Sequence, residues 1–281
     1  MASSQALSSL FIETVGGQLQ DTLDVNTNNI INLANPVNST DACNSLYVGL
    51  SSIREIEYNY IASLGPVFWL SSYYYDGIRP KSSQPVVTLT GITKDTVGNS
   101  VTQTGTINIQ ADSSNGNRSA YYFNGSNNII STNSVSTAFT FFFIYRRDNP
   151  TSTNGGLFTG NGGTGTRVFG SWNAARTIWY SDAWLTAQTV NATSNIEFVI
   201  ATNNNNTKNM WDKSLSTSVV TNSTVGANDW GTITIGKPSP SSPYVNAAGT
   251  CYMYETIVFN SVLTNIQIQR IIAILRRYCN I

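Results

Sequence analysis

Phe139-Thr-Phe-Phe-Phe-Ile-Tyr145 is the stretch that decides the fold. A β-strand turns successive side chains to opposite faces, so a strand packed on one side only alternates apolar with polar residues. Apart from Thr140, this run is apolar on both faces, which predicts a strand crossing the middle of a layered β protein. Further short β-type runs surround it at 86–89, 104–109, 120–123, 156–159, 167–172, 177–180, 196–201, 232–235 and 252–259, separated by clusters of Gly, Asn, Ser and Pro. Many short strands with no helices between them predict an antiparallel sandwich or barrel rather than a βαβ sheet.

Two segments break the β pattern. At the C-terminal end, Thr264 with Gln267 three residues on makes a capping box. Ile268, Ile271, Ile272 and Leu275 then form one apolar stripe, and Arg276 and Arg277 sit where the helix dipole favours cations. A helix sealing an edge or end of the sandwich is expected there. Near the other end, Leu46, Leu50, Ile53, Tyr60 and Leu64 recur at heptad-like spacing, with Glu57 in the one missing place. That spacing fits a short seam between chains, and equally a single amphipathic helix packed on the next domain. The chain is therefore divided into a stalk or anchor segment at 1–65 and a β head at 66–281.

Composition narrows the function. Fifteen Lys and Arg balance fifteen Asp and Glu, and only 11% of the 281 residues are charged, so nothing advertises a nucleic-acid partner. Met1-Ala-Ser-Ser-Gln5 lacks the basic and apolar regions of a secretory signal, and no stretch approaches a membrane span. Synthesis in a cytoplasm is expected. Cys43, Cys251 and Cys279 are odd in number, which argues for buried thiols, with a Cys251–Cys279 pair as the alternative.

The absence of His removes Ser-His-Asp and Cys-His catalysis and His-ligated metals together. A glycosidase needs two carboxyls flanking one bond, and beyond residue 65 the only Glu residues are Glu197 and Glu255, far apart in sequence. Gly160-Asn-Gly-Gly-Thr-Gly165 fits a dinucleotide fingerprint by letter, but a strand-like run follows where a helix must begin. Asp112-Ser-Ser-Asn-Gly-Asn117 is a weak match to a calcium loop and also reads as a plain turn, so no cofactor or metal ligand is assigned. The best ligand platform is Trp172, Trp179, Tyr180 and Trp184 with Asp182 among them. Aromatic faces stack on a sugar ring while carboxylate and amide groups take its hydroxyls. Trp179 and Tyr180 must point to opposite faces of a strand, so part of this cluster belongs to a core.

Two resemblances add to these readings. The segment from Asp24 to Val48, carrying Leu33, Pro36, Asp41, Ala42, Tyr47 and Val48, resembles a repeat of phage tail fibres and of surface proteins of large DNA viruses. It implies a virion component and a trimeric stalk, in which Leu46, Leu50, Ile53, Tyr60 and Leu64 would be the three-chain seam. Residues 66–281 resemble the laminin G-like, concanavalin A-like jelly-roll superfamily. The carriers are Pro66-Val-Phe-Trp-Leu70, Ala120-Tyr-Tyr-Phe-Asn-Gly-Ser-Asn-Asn-Ile-Ile130, Phe139 to Tyr145, Trp230-Gly-Thr-Ile-Thr-Ile-Gly236 and the ending Tyr254 to Thr264 before the helix. Glu255 is accounted for by that closing strand.

The reading is an all-β antiparallel jelly-roll sandwich with a short N-terminal helical stalk and one C-terminal helix. The expected function is host attachment from a virion surface, by a homotrimer that binds a host-surface glycan or receptor beside other virion proteins. The alternative is a minor capsid or cementing protein that docks on neighbouring capsid proteins and binds no receptor. A polysaccharide-cleaving enzyme comes third.

Overall fold

The computed structural model describes residues 55–73, 87–116, 118–147, 155–160, 167–172, 176–181, 183–184, 196–204, 207–212, 220–222, 230–236, 247–248 and 250–279. Two units are distinguished, Met1–Ile56 and Glu57–Ile281, and the architecture below is that of the second. Its elements are helical turns α1 (57–63, the part of the 55–63 turns in this unit), then β1 (Pro66–Ser71), β2 (Val87–Leu89), β3 (Val101–Thr104), β4 (Ile107–Asp112), β5 (Arg118–Phe123), β6 (Asn128–Val135), β7 (Ala138–Arg147) and β8 (Gly155–Gly160). They continue with β9 (Arg167–Trp172), β10 (Arg176–Ser181), β11 (Ala183–Trp184), β12 (Glu197–Asn204), β13 (Thr207–Asp212), β14 (Val220–Asn222), β15 (Gly231–Gly236), β16 (Ala247–Ala248), β17 (Cys251–Phe259) and α2 (Asn265–Cys279).

The strands form two antiparallel sheets of a β-sandwich; among the described residues only the short β16 pairs parallel, with β8. One sheet runs β14-β13-β12-β7-β17-β5-β4-β2, and β1 joins it by sharing an edge of β17 with β5. The other runs β11-β10-β9-β8-β15-β6-β3.

β7 lies inside the first sheet, between β12 and β17, as its apolar sequence requires. Phe139, Phe141, Phe143 and Tyr145 face the sandwich interior with Ile233, Ile235 and Trp230. Trp230 meets the Phe139 and Phe141 rings edge-on, at 5.6 and 5.1 Å between centroids. Phe142 and Ile144 face the other way, into a second cluster with Ile268, Ile271, Ile272 and Leu275 of α2. Both faces of one strand are thus buried, each large side chain contributing roughly 1.5–3 kcal/mol relative to exposure.

α2 begins as the sequence indicates. The Thr264 N–H donates to Gln267 Oε1 at 2.8 Å and the Gln267 N–H donates back to Thr264 Oγ1 at 3.3 Å. Leu263 and Ile268 flank this cap within the second cluster, the arrangement of a hydrophobic staple. Cys251 and Cys279 are both buried free thiols.

Two details differ from what the sequence pattern predicts. The run 104–109 is not one strand: Gly105, at φ 72°, turns the chain between β3 and β4. β3, β6 and β13 are additional strands that the pattern does not single out, because their Thr, Asn and Ser content resembles loop. Of the heptad-like positions, Leu46, Leu50 and Ile53 lie outside the described residues. Tyr60 and Leu64 are half-buried against the second cluster, and the Arg270 guanidinium lies 3.7 Å from the Tyr60 ring centroid. Glu57, the polar residue in the pattern, is buried and bound by Arg277 and the Tyr278 hydroxyl of α2.

Candidate functional site

The aromatic positions singled out in the sequence fall on β9, β10 and β11, consecutive strands at one edge of the second sheet. Trp172 is the register partner of Arg176, and Tyr180 of both Val168 and Trp184. Partners across a strand pair share a face and positions two apart share a face. Trp172, Tyr180 and Trp184 therefore occupy positions on one face of this edge. Trp179 pairs with Phe169, Phe169 with Phe158, and Phe158 with Ile235, whose side chain is in the sandwich core. The Trp179 position thus belongs to the interior face, and the other three to the outward one. Asp182 lies outside the described residues.

Two buried ion pairs are organised around β7. On the face turned to α2, Arg146 binds Asp112 by two hydrogen bonds, Nε to Oδ2 at 2.5 Å and Nη2 to Oδ1 at 2.7 Å, and the Tyr254 hydroxyl donates to the same carboxylate. On the interior face, Arg147 Nη2 lies 3.5 Å from Glu197 Oε1, and the Tyr145 hydroxyl donates to Glu197 Oε2 at 2.6 Å. Burial and the Asp112 charge hold the Tyr254 phenol far above its ordinary pKa.

The loop weighed as a calcium site is explained by this arrangement. Asp112 is buried, caps the 3-10 turn Ser113–Asn115 by accepting from the Ser114 N–H at 3.0 Å, and is neutralised by Arg146. Among the described residues no group of three or more Cys, Asp or Glu side chains converges as a metal site. Gly160 ends β8 and Arg167 opens β9, its antiparallel partner, so the glycine-rich segment between them joins two strands and no helix begins where it ends.

Glu197 and Glu255 lie on opposite faces of the first sheet, because Glu197 pairs with Tyr145 of the interior face and Glu255 with Ile144 of the other. That pair cannot flank one glycosidic bond. Glu255 is instead a buried acceptor, taking hydrogen bonds from Trp69 Nε1 at 3.1 Å and from the Ser71 hydroxyl. Burial raises its pKa to about 8.

No protein-family model matches the chain, and no curated protein matches it. Among solved structures, a GH54 α-L-arabinofuranosidase soaked with a cyclic sulfate inhibitor aligns at a TM-score of 0.52 and 8% identity, over 77% of this chain and 64% of that one. Domain 4 of AbnA, an extracellular arabinanase from Geobacillus stearothermophilus in complex with arabinotriose, aligns at 0.45 and 14%, over 67% and 88%. Trypanosoma rangeli sialidase in complex with sialic acid aligns at 0.49 and 13% over 81% of this chain, which spans 38% of the sialidase. At 8% identity the first of these likenesses speaks to the fold alone.

Proposed function

We propose that this chain is a carbohydrate-recognition protein of a virion surface, a β-sandwich head carried as a homotrimer on its N-terminal segment and used for host attachment. The observation that carries the reading is the register of β9, β10 and β11, which gathers Trp172, Tyr180 and Trp184 at positions on one outward face of a sheet edge. Several aromatic positions on a sheet edge suit the apolar face of a sugar ring. The virion setting and the trimer rest on the resemblance of residues 24–48 to fibre stalks. Three linked heads convert weak single-site binding into avidity through effective concentration. The reading assigns recognition, and no bond cleavage, to the head.

A glycan array probed with the full-length protein tests this. Specific binding, weakened in Trp184→Ala and Tyr180→Ala, is expected; a folded protein that binds no glycan overturns it. Light scattering tests the assembly separately, with three chain masses expected and a single chain mass overturning the trimer.

The capsid-docking alternative draws on one surface feature. Val262, in the turn before α2, and Ile266, in its first turn, are 40% and 78% exposed. Loss of particle binding, with glycan binding intact, in a Val262→Ser, Ile266→Ser double variant would favour that reading.

A further inference from the structure

The outer face of the first sheet carries a second cluster with the chemistry of a sugar site, on a different sheet from the aromatic edge. One transverse row crosses five strands: Thr88 of β2 pairs with Asn108 of β4, Asn108 with Tyr122 of β5, Tyr122 with Tyr252 of β17, and Tyr252 with Arg146 of β7. Their sequence neighbours Leu89, Ile107, Ile109, Tyr121, Phe123, Cys251, Met253 and Tyr145 fill the sandwich interior, so the row faces outward.

α2 seals the part of this face that holds Phe142, Ile144 and Phe259. At the row itself, Thr88 is exposed, and Asn108, Gln110, Tyr122 and Tyr252 are half-buried. The Tyr122 and Tyr252 rings lie 4.9 Å apart at 50°. Tyr252 is held from two sides, by the Arg146 guanidinium 4.4 Å from its centroid and by Gln110 Nε2 donating to its hydroxyl at 3.0 Å. Asp112 neutralises Arg146, so the row presents aromatic rings and amides with little net charge. Among the described residues the buried Asn108 Oδ1 has no hydrogen-bond partner, and rotating this half-buried amide would turn either an acceptor or a donor outward to a ligand.

We propose that the row Thr88, Asn108, Tyr122 and Tyr252 is a second saccharide site, taking a neutral sugar whose apolar face lies on the Tyr122 ring and whose hydroxyls bond the Asn108 amide. Ring faces fixed beforehand suit a weakly binding sugar, because little side-chain freedom is lost on association. Among the described residues the one cation of the row, Arg146, is already paired with Asp112, which favours a neutral sugar over an anionic one. The site shares its chemistry with the aromatic edge but stands on different residues, and the two fail separately.

Saturation-transfer NMR on the full-length protein is the test. Its probes are neutral oligosaccharides of glucose, galactose, mannose, xylose and arabinose, with sialylated oligosaccharides as the charged comparison. A neutral sugar is expected to bind, with affinity reduced roughly three- to tenfold in Tyr122→Ala and largely kept in Tyr122→Phe. Thr88→Arg, at an exposed position where folding is not at stake, is expected to weaken the same sugar, and to do so also in a Trp184→Ala background, where the row alone is left to bind it. The proposal is overturned if no neutral sugar binds, or if binding is indifferent to Tyr122→Ala and Thr88→Arg. Loss in Trp184→Ala alone assigns all sugar binding to the aromatic edge and likewise overturns it.

Discussion

The indole Nε1 of Trp69 donates to Oε2 of the buried Glu255 at 3.1 Å. The backbone N–H of Trp69 donates to Oδ2 of a second buried carboxyl, Asp95, at 2.9 Å. Desolvation raises the pKa of both, to about 8 for Glu255, against the pull of these hydrogen bonds. Beside Glu255 lies the Cys279 thiol, whose own pKa burial and the Glu255 charge push well up, while Arg118 draws it down.

Stability should fall as pH rises through this window. Below the ordinary Glu value of 4.5 both states hold the proton, and the contribution of Glu255 is fully present. Between 4.5 and about 8 the unfolded chain has released a proton that the folded one keeps, so each step up in pH favours unfolding. Asp95 acts in the same direction. Urea denaturation at pH 5, 7 and 9 should show a loss of at least about 1 kcal/mol, since a tenfold difference in proton affinity between the folded and unfolded states is worth about 1.4 kcal/mol. Glu255→Gln should flatten the curve, and an unchanged slope would show that Glu255 does not set it.

Breaking the Arg146–Asp112 pair from one side should be costly. Asp112→Ala leaves a guanidinium that is 5% exposed without its carboxylate, and leaves the Tyr254 hydroxyl without its acceptor. A loss of about 3–5 kcal/mol is expected by chemical denaturation. An Asp112→Leu, Arg146→Met double variant should recover much of it, because the burial cost then disappears with both charges.

Gly236 admits no side chain. At φ 92°, a Cβ there would lie 2.4 Å from Phe123 Cδ1 and 2.5 Å from the Asn127 carbonyl oxygen. Gly236→Ala should cost at least about 2 kcal/mol from backbone strain and overpacking together. Thermal unfolding reads this directly, with Gly98→Ala, whose surroundings are open at a similar φ of 87°, isolating the strain component.

The cap of α2 should matter on its own. Thr264→Ala removes the acceptor for the Gln267 N–H and should cost about 1 kcal/mol, while Thr264→Ser should be nearly neutral. Hydrogen exchange at Ile266 to Ile268 should accelerate in the alanine variant ahead of exchange in β7.

What the sequence disclosed followed from periodicity and local chemistry. Phe139 to Tyr145 announced a strand buried on both faces, and Thr264 with Gln267 announced the helix start, because each signal resides in a few adjacent residues. Strands such as β6 were hidden, since Asn128 and Ser131 look like loop residues and are buried only through partners on other strands. Arg146 and Arg147 carry no local sign of burial, yet both are buried, against carboxylates supplied by β4 and β12. The outward row of Asn108, Tyr122 and Tyr252 was equally illegible: each residue alternates with core neighbours, but only strand pairing reveals that the three stand side by side. The aromatic edge was half legible, because alternation separated Trp179 from Tyr180, and register was needed to bring Trp184 alongside Tyr180.

β1 and β17 share a ladder, Trp69 beside Ile257 and Leu70 beside Thr256, although most of the chain separates them. During translation β1 therefore emerges long before its partner exists. At cellular elongation rates of 5–20 residues per second the wait is roughly ten to forty seconds. Throughout it, Phe68, Trp69 and Leu70, all buried in the finished protein, lack the β17 ladder that covers one side of them. The newborn head is thus a natural client for chaperones that shield apolar segments, and its yield in a foreign host should depend on them more than its final stability suggests.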